Sequence, residues 1–149
     1  MTKEFFLFRH GETDWNRTGR LQGSADIPLN ALGVSQAEHV RNYFARQKLV
    51  REQPRSEILK SVLSSPLKRA VETARIAFGF SDFEAAQIRV DPRFAETHLG
   101  QAEGMTRDEL IVNFGESSWL EWIGLGPESW HAKFPGGETK GEVRDRVLA

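Results

Sequence analysis

The sequence has no cysteine. Disulfides, thiolate nucleophiles and cysteine-based zinc sites are therefore excluded. It has no excess of either charge: 20 Lys and Arg stand against 21 Asp and Glu, a net charge of −1. That balance carries no electrostatic footprint of a nucleic-acid partner, and most of its basic residues read as solvated surface. It has no apolar run long enough to span a bilayer. Its opening residues, MTKEFFLF, lack the long apolar centre and small-residue cleavage site of a secretory signal. It has no Walker A loop, no HExxH pair and no carboxylates at metal-site spacing. The expectation is a cytoplasmic protein with no metal, no cofactor, no membrane association and no nucleic-acid partner.

What is present fits one folded domain across residues 1–149. Hydrophobic residues make up 39% and charged residues 28%, and 149 residues suffice for a core of their own. Residues 4–8, EFFLF, are too short a run for a helix and suit a strand buried on both faces of a parallel sheet. Residues 9–30 hold Gly11, Gly19, Gly23 and Pro28 among polar side chains and read as loop. Asn30 is placed to cap a helix whose inner face is Gly33, Ala37, Val40 and Phe44.

Residues 57–65 read as a second strand. Ser65 as N-cap and Pro66 at the first helical position then open a helix with the stripe Leu67, Ala70, Val71, Ala74 and Phe78. A short third strand falls within 87–94, broken by Pro92. Thr106 with Glu109, and Thr139 with Glu142, fit capping boxes for two more helices. The stretch 115–138, with Trp119, Trp122 and Trp130, reads as irregular. Strands alternating with helices predict an α/β layer fold. The last helix has no Gly or polar stop and reads as interrupted; a short helix fraying at a natural end is the alternative.

In a parallel α/β sheet, sites form beyond the C-terminal strand ends. Arg9 and His10 follow the first expected strand, Arg69 lies in the first turn after the second, and Glu96 follows the third. An arginine in a first helical turn opposes the helix dipole. Two guanidiniums beside a helix N-terminus would favour a dianion, and phosphate is the natural one. Neutral imidazole is a nucleophile near pH 7. Arginines stabilise the equatorial oxygens of a transferring phosphoryl group, and a carboxylic acid protonates the leaving alcohol. Taken singly, each residue has an ordinary structural explanation. The tryptophans in particular read as core packing at least as readily as ligand contacts.

Taken together, RHGETDWN (9–16) and GRLQGSADIPLNALGVSQA (19–37) closely resemble the opening of the histidine phosphatase superfamily, the phosphoglycerate-mutase-like proteins. SSPLKRAVETA (64–74) resembles that family's second arginine motif, and RFAETHLGQAEG (93–104) its proton-donor segment. FPGGET (134–139) with EVRDRV (142–147) resembles the segment before its last core strand. The resemblance implies a three-layer αβα fold with a mostly parallel sheet. It implies that His10 carries the phosphoryl group and that Glu96 is the proton donor. Arg9, Arg69 and Asn16 would then bind phosphate, and Thr13, Gln22 and Gly23 would face the substrate, a phosphorylated small molecule. About forty residues separate Glu96 from the PGGET stretch. The family's cofactor-dependent mutases are longer there, so the resemblance leans to the phosphatase branch, with a phosphoglycerate mutase as the alternative.

The family's pocket also holds a second histidine, in a His-Gly pair after the next strand. His39, His98 and His131 are the other histidines here, and none has that context. The sequence thus reads as a domain without its C-terminal strand or strands. A phosphate-binding protein without catalysis stays open on that ground, and so does homo-oligomerisation.

Overall fold

The computed structural model describes residues 5–47, 52 and 54–149. The chain runs through a single helical turn α1 (Asp14–Arg17), the long helix α2 (Ala31–Phe44), α3 (Arg55–Ser61) and strand β1 (Leu63–Ser64). Next come α4 (Lys68–Phe78), the short α5 (Asp82–Ala85) and strand β2 (Arg89–Val90). Helices α6 (Arg107–Phe114), α7 (Glu116–Ile123) and α8 (Lys140–Leu148) complete it. β1 and β2 pair in parallel, Leu63 with Arg89 and Ser64 with Val90, joined by the α4–α5 crossover. The fold is thus α/β with a small parallel sheet, as the alternation of elements predicts. Among the described residues no helix is long and apolar enough to cross a membrane.

Among the described residues two apolar cores form. The first joins Val62, Ala74, Phe80, Ala85 and Ile88, with Ile58, Val71 and Phe78 against it. It is extended by aromatic rings: Phe44 of α2 stacks on Phe78 of α4 at 4.8 Å, which fixes the two helices side by side. The second joins Leu99, Ala102, Leu110 and Phe134, with Leu21, Met105, Phe114, Trp119 and Trp122 packed on it. Trp119 and Trp122 are therefore core-packing residues; Trp130 is 40% exposed.

Several local expectations change. Residues 5–8 join no ladder: Phe6 and Phe8 turn edge-on to Phe44, while Phe5 and Leu7 are 90% and 100% exposed. The alternation is that of a strand, but no described neighbour supplies its hydrogen bonds. Glu4 lies outside the described residues. Most of 57–65 is helix, because Glu57 and Lys60 favour helix and pair with each other one turn apart, at 3.0 Å. Only Leu63–Ser64 is strand. The stretch 115–138 contains α7 and is less irregular than expected.

The capping signals fare better. Asn30 caps α2 through Gly33 N, and both capping boxes form, Thr106 with Glu109 and Thr139 with Glu142. Helix α4 differs: it starts at Lys68, after Leu67, with no local side-chain cap. Its first amide, Lys68 N, donates instead to Asp26 Oδ1 at 2.7 Å, from a loop distant in sequence. Ser65 Oγ accepts from Leu67 N at 3.4 Å just before the helix, so the expected Ser65 and a remote carboxylate share this end.

Candidate active site

His10 ends the extended segment that packs on α2 and α4. Its Nδ1–H donates to the Gly11 carbonyl at 2.7 Å, and Arg69 Nε donates to its Nε2 at 3.2 Å. A carbonyl only accepts and a guanidinium only donates, so both bonds select the same species: neutral imidazole, protonated at Nδ1. Burial pushes the His10 pKa below its ordinary value, and the charges of Arg69 and Arg9 push the same way. The Gly11 carbonyl and Glu96 oppose this in part.

Arg69 is 1% exposed, an unusual place for a guanidinium. Helix α4 carries it inward, and loop carbonyls receive it: Nη1 donates to Ala25 O at 2.6 Å and Nη2 to Gly23 O at 2.8 Å. With the His10 bond, about two of its five N–H groups remain for another acceptor. Burial lowers its pKa, while Glu96, Asp26 and Glu103 support its charge. One turn further along α4, Thr73 accepts from Gly11 N at 3.0 Å and donates to Arg69 O at 2.6 Å.

The loop that receives Arg69 is itself anchored. Glu103 Oε1 accepts from Ser24 N at 2.8 Å, Ser24 Oγ at 2.9 Å and Leu99 N at 3.2 Å. Gly23 takes φ +52°, where a side chain would also run into Glu103. Gly11 and Gly33 meet backbone to backbone, and a Cβ on Gly33 would strike the Glu12 carbonyl. That contact seats the His10 turn on the first turn of α2.

The expected site residues separate into groups. His10, Arg69 and Gly23 are brought together by direct bonds. Arg9 is exposed, and its charge bears on both His10 and Arg69. Glu96 is exposed too; its Oε1 accepts from Thr97 N at 2.9 Å, and its charge also reaches His10 and Arg69. Thr13 is wholly buried, at 0% exposure, and forms a capping box with Asn16. Its hydroxyl donates to Gln22 Oε1 at 2.8 Å. Thr13 and Gln22 thus frame the loop, and a ligand reaching Thr13 would first have to displace its partners. Asn16 is half-buried and spends its Oδ1 on Thr13 N.

Sequence reasoning missed Thr73, Glu103 and Asp26. Thr73 alone had a legible signal, its position one turn after Arg69. Among the described residues no group of His, Asp and Glu is placed to hold a metal.

Residues 5–149 match the histidine phosphatase superfamily, branch 1. The chain belongs to that superfamily. Probable phosphoglycerate mutase GpmB of Yersinia pestis strain Pestoides F is 32% identical over 146 residues, which are 98% of this chain and 60% of the relative. The mycobacterial glucosyl-3-phosphoglycerate phosphatase solved with VO3 superposes with a TM-score of 0.69 at 29% identity. That similarity covers 93% of this chain and 60% of the phosphatase. A Thermus thermophilus protein, TTHB049, superposes at 0.60 with 34% identity, covering 94% of this chain and 66% of its own. This histidine phosphatase superfamily chain therefore spans about three-fifths of the length of the curated relatives it matches. Its relatives carry both phosphatase and mutase names, and the matched region includes Arg9, His10, Arg69, Glu96 and Glu103.

Proposed function

We propose that this chain hydrolyses phosphomonoesters of small molecules through a phosphohistidine on His10. The observation that carries the reading is the neutral, Nδ1-protonated His10, with Nε2 against the buried Arg69 guanidinium.

In the first step the Nε2 lone pair leaves Arg69 Nε and attacks phosphorus, a P–N bond forms and the P–O bond to the alcohol breaks. The Gly11 carbonyl stabilises the Nδ1–H of the imidazole as it becomes cationic. Arg69 and Arg9 hold the phosphoryl oxygens, with Asn16 as a further donor. Glu96, entering as the acid, gives its proton to the leaving alkoxide. In the second step water attacks phosphorus, Glu96 takes the water's proton and the P–N bond breaks, releasing phosphate and neutral His10. No step calls on a metal or an organic cofactor.

The test is to trap the intermediate. Brief exposure to a labelled phosphate ester and alkaline quenching should leave an alkali-stable, acid-labile label, absent from His10→Ala. Unchanged turnover in His10→Ala would sink the reading.

Similarity to a relative named as a phosphoglycerate mutase favours one second reading, isomerisation of phosphoglycerate by the same residues. Isomerisation of 3-phosphoglycerate that outpaces phosphate release would establish it. Stoichiometric phosphate binding with neither labelling nor turnover would instead identify a binding-only pocket.

A further inference from the structure

The Arg146 side chain is 23% exposed and reaches from α8 into the segment that carries Glu96, fifty residues earlier in the chain. Its guanidinium donates to the carbonyls of Arg93, Ala95 at 2.8 Å and Glu96 at 3.4 Å. Its other bonds go to Glu138, Nε to Oε1 at 3.0 Å and Nη2 to Oε2 at 3.2 Å. Glu138 grips the far side of the same segment: its Oε2 accepts from His98 N at 2.8 Å, and its own N donates to His98 O at 2.7 Å. The Arg146 bonds hold the Glu138 carboxyl below the usual carboxylate range, with His98 N adding to this.

The segment's other backbone bonds lie on the N-terminal side, Phe94 N to Asp91 O at 3.1 Å and Ala95 N to Pro92 O at 3.0 Å. Phe94 and Glu96 are exposed, and Thr97 N is occupied by Glu96's own side chain. Among the described residues no other donor meets the carbonyls of Arg93, Ala95 and Glu96. Three carbonyls that bracket one carboxylate therefore converge on one planar fork, a task suited to arginine rather than lysine.

We infer that Arg146, braced by Glu138, is a positioning residue that sets the backbone of Glu96 and so aims its carboxyl at the phosphoryl group on His10. The inference rests on the reading of Glu96 as the proton donor. Arg146 touches neither His10 nor Arg69 and acts only through the backbone it holds. A clip that merely fastened α8 to the domain would change stability without changing how the reaction depends on the leaving group.

The experiment compares kcat/KM, which covers the reaction only as far as phosphoryl transfer to His10 and so omits the hydrolysis step common to every ester, for p-nitrophenyl phosphate, whose leaving group needs no proton, and an alkyl phosphate, whose leaving group does. The proteins are the 149-residue chain and its Glu96→Gln, Arg146→Lys, Arg146→Met and Glu96→Gln/Arg146→Lys variants. Glu96→Gln should slow the alkyl ester about a hundredfold and the nitrophenyl ester far less. Arg146→Lys should slow the alkyl ester about tenfold with the same selectivity. The double variant should be no slower than Glu96→Gln alone. Equal losses on both esters in Arg146→Lys, with Glu96→Gln still selective, overturn the positioning role and leave the function intact. Loss of selectivity in Glu96→Gln overturns the role of Glu96 itself.

Amide NMR supplies a readout independent of turnover and of the fate of Arg146→Met. In Arg146→Lys the Glu96 and Thr97 amides should shift and broaden while those of α4 stay in place. An unchanged 95–97 segment overturns the inference.

Discussion

Arg69 and Thr73 lie one turn apart on α4, and between them they fix both nitrogens of His10. Arg69 donates to Nε2, while Thr73 holds Gly11, whose carbonyl receives Nδ1–H. One helix face thus sets the tautomer of the proposed nucleophile. Thr73→Val keeps the shape but removes the acceptor for Gly11 N, a buried donor. The expected loss is about 1–3 kcal/mol of stability, read by urea unfolding, with Thr73→Ser recovering most of it. Nitrogen NMR should also show a mixed His10 tautomer in the valine variant. Equal stability of the threonine and valine proteins would mean that Gly11 finds another partner.

The depressed pKa of His10 gives a second expectation. Above about pH 6.5, the ordinary histidine value, folded and unfolded chains both hold it neutral, and its contribution to stability is complete. As pH falls through that value, the unfolded chain takes up a proton that the folded chain resists, and stability declines until the folded pKa is passed. The NMR midpoint of His10 should therefore lie below 6.5, and stability should fall less with acid in His10→Gln. Arg69→Met should move the midpoint upward, though only in part, since burial is the larger cause. A midpoint at or above 6.5 in the unliganded protein would contradict the arrangement.

Much of this was readable in the sequence because the signals are local. Asn30, Thr106 with Glu109 and Thr139 with Glu142 cap their helices through residues three positions away, and a pattern search sees that distance. His10 and Arg69, singled out in the sequence, are bonded to each other in the structure, and the superfamily was legible from the ordered motifs around them. The unread parts are long-range. Asp26 caps α4, and Glu103 anchors the Gly23 loop, across gaps with no sequence period. Residues 57–65 misled because an aliphatic run of that length fits a buried helix as well as a strand, and Glu57 with Lys60 tipped it to helix. Thr13 and Gln22 share a loop with the candidate site, but their burial is a tertiary fact.

Gly33 shows the same limit in one residue. Its place on the inner face of α2 suggests that alanine would serve, and helix propensity would favour alanine by about 1 kcal/mol. The structure puts the Glu12 backbone where that Cβ would go. Backbone yields less readily than a side chain, so overpacking of about 1–3 kcal/mol should win. Gly33→Ala is expected to unfold at lower urea and to bind inorganic phosphate more weakly, because the His10 turn is what must shift. A stabilised Gly33→Ala protein would show that the turn moves freely on α2.

Glu103 offers a test in which charge and geometry pull in opposite directions. Its Oε1 gathers Ser24 and Leu99, and Ser24 lies between the two carbonyls that orient Arg69. Its negative charge also supports the Arg69 cation and so disfavours an incoming dianion. Glu103→Ala removes the acceptor, frees the loop and leaves two amides without a partner. Inorganic phosphate, followed by calorimetry, should bind about tenfold more weakly, equivalent to about 1.4 kcal/mol. Glu103→Gln keeps an oxygen in the same place and removes the charge, so it should bind phosphate at least as tightly as the parent chain. If alanine and glutamine weaken binding equally, charge rather than loop geometry is the contribution of Glu103, and Arg69 is held by Gly23 and Ala25 without its help.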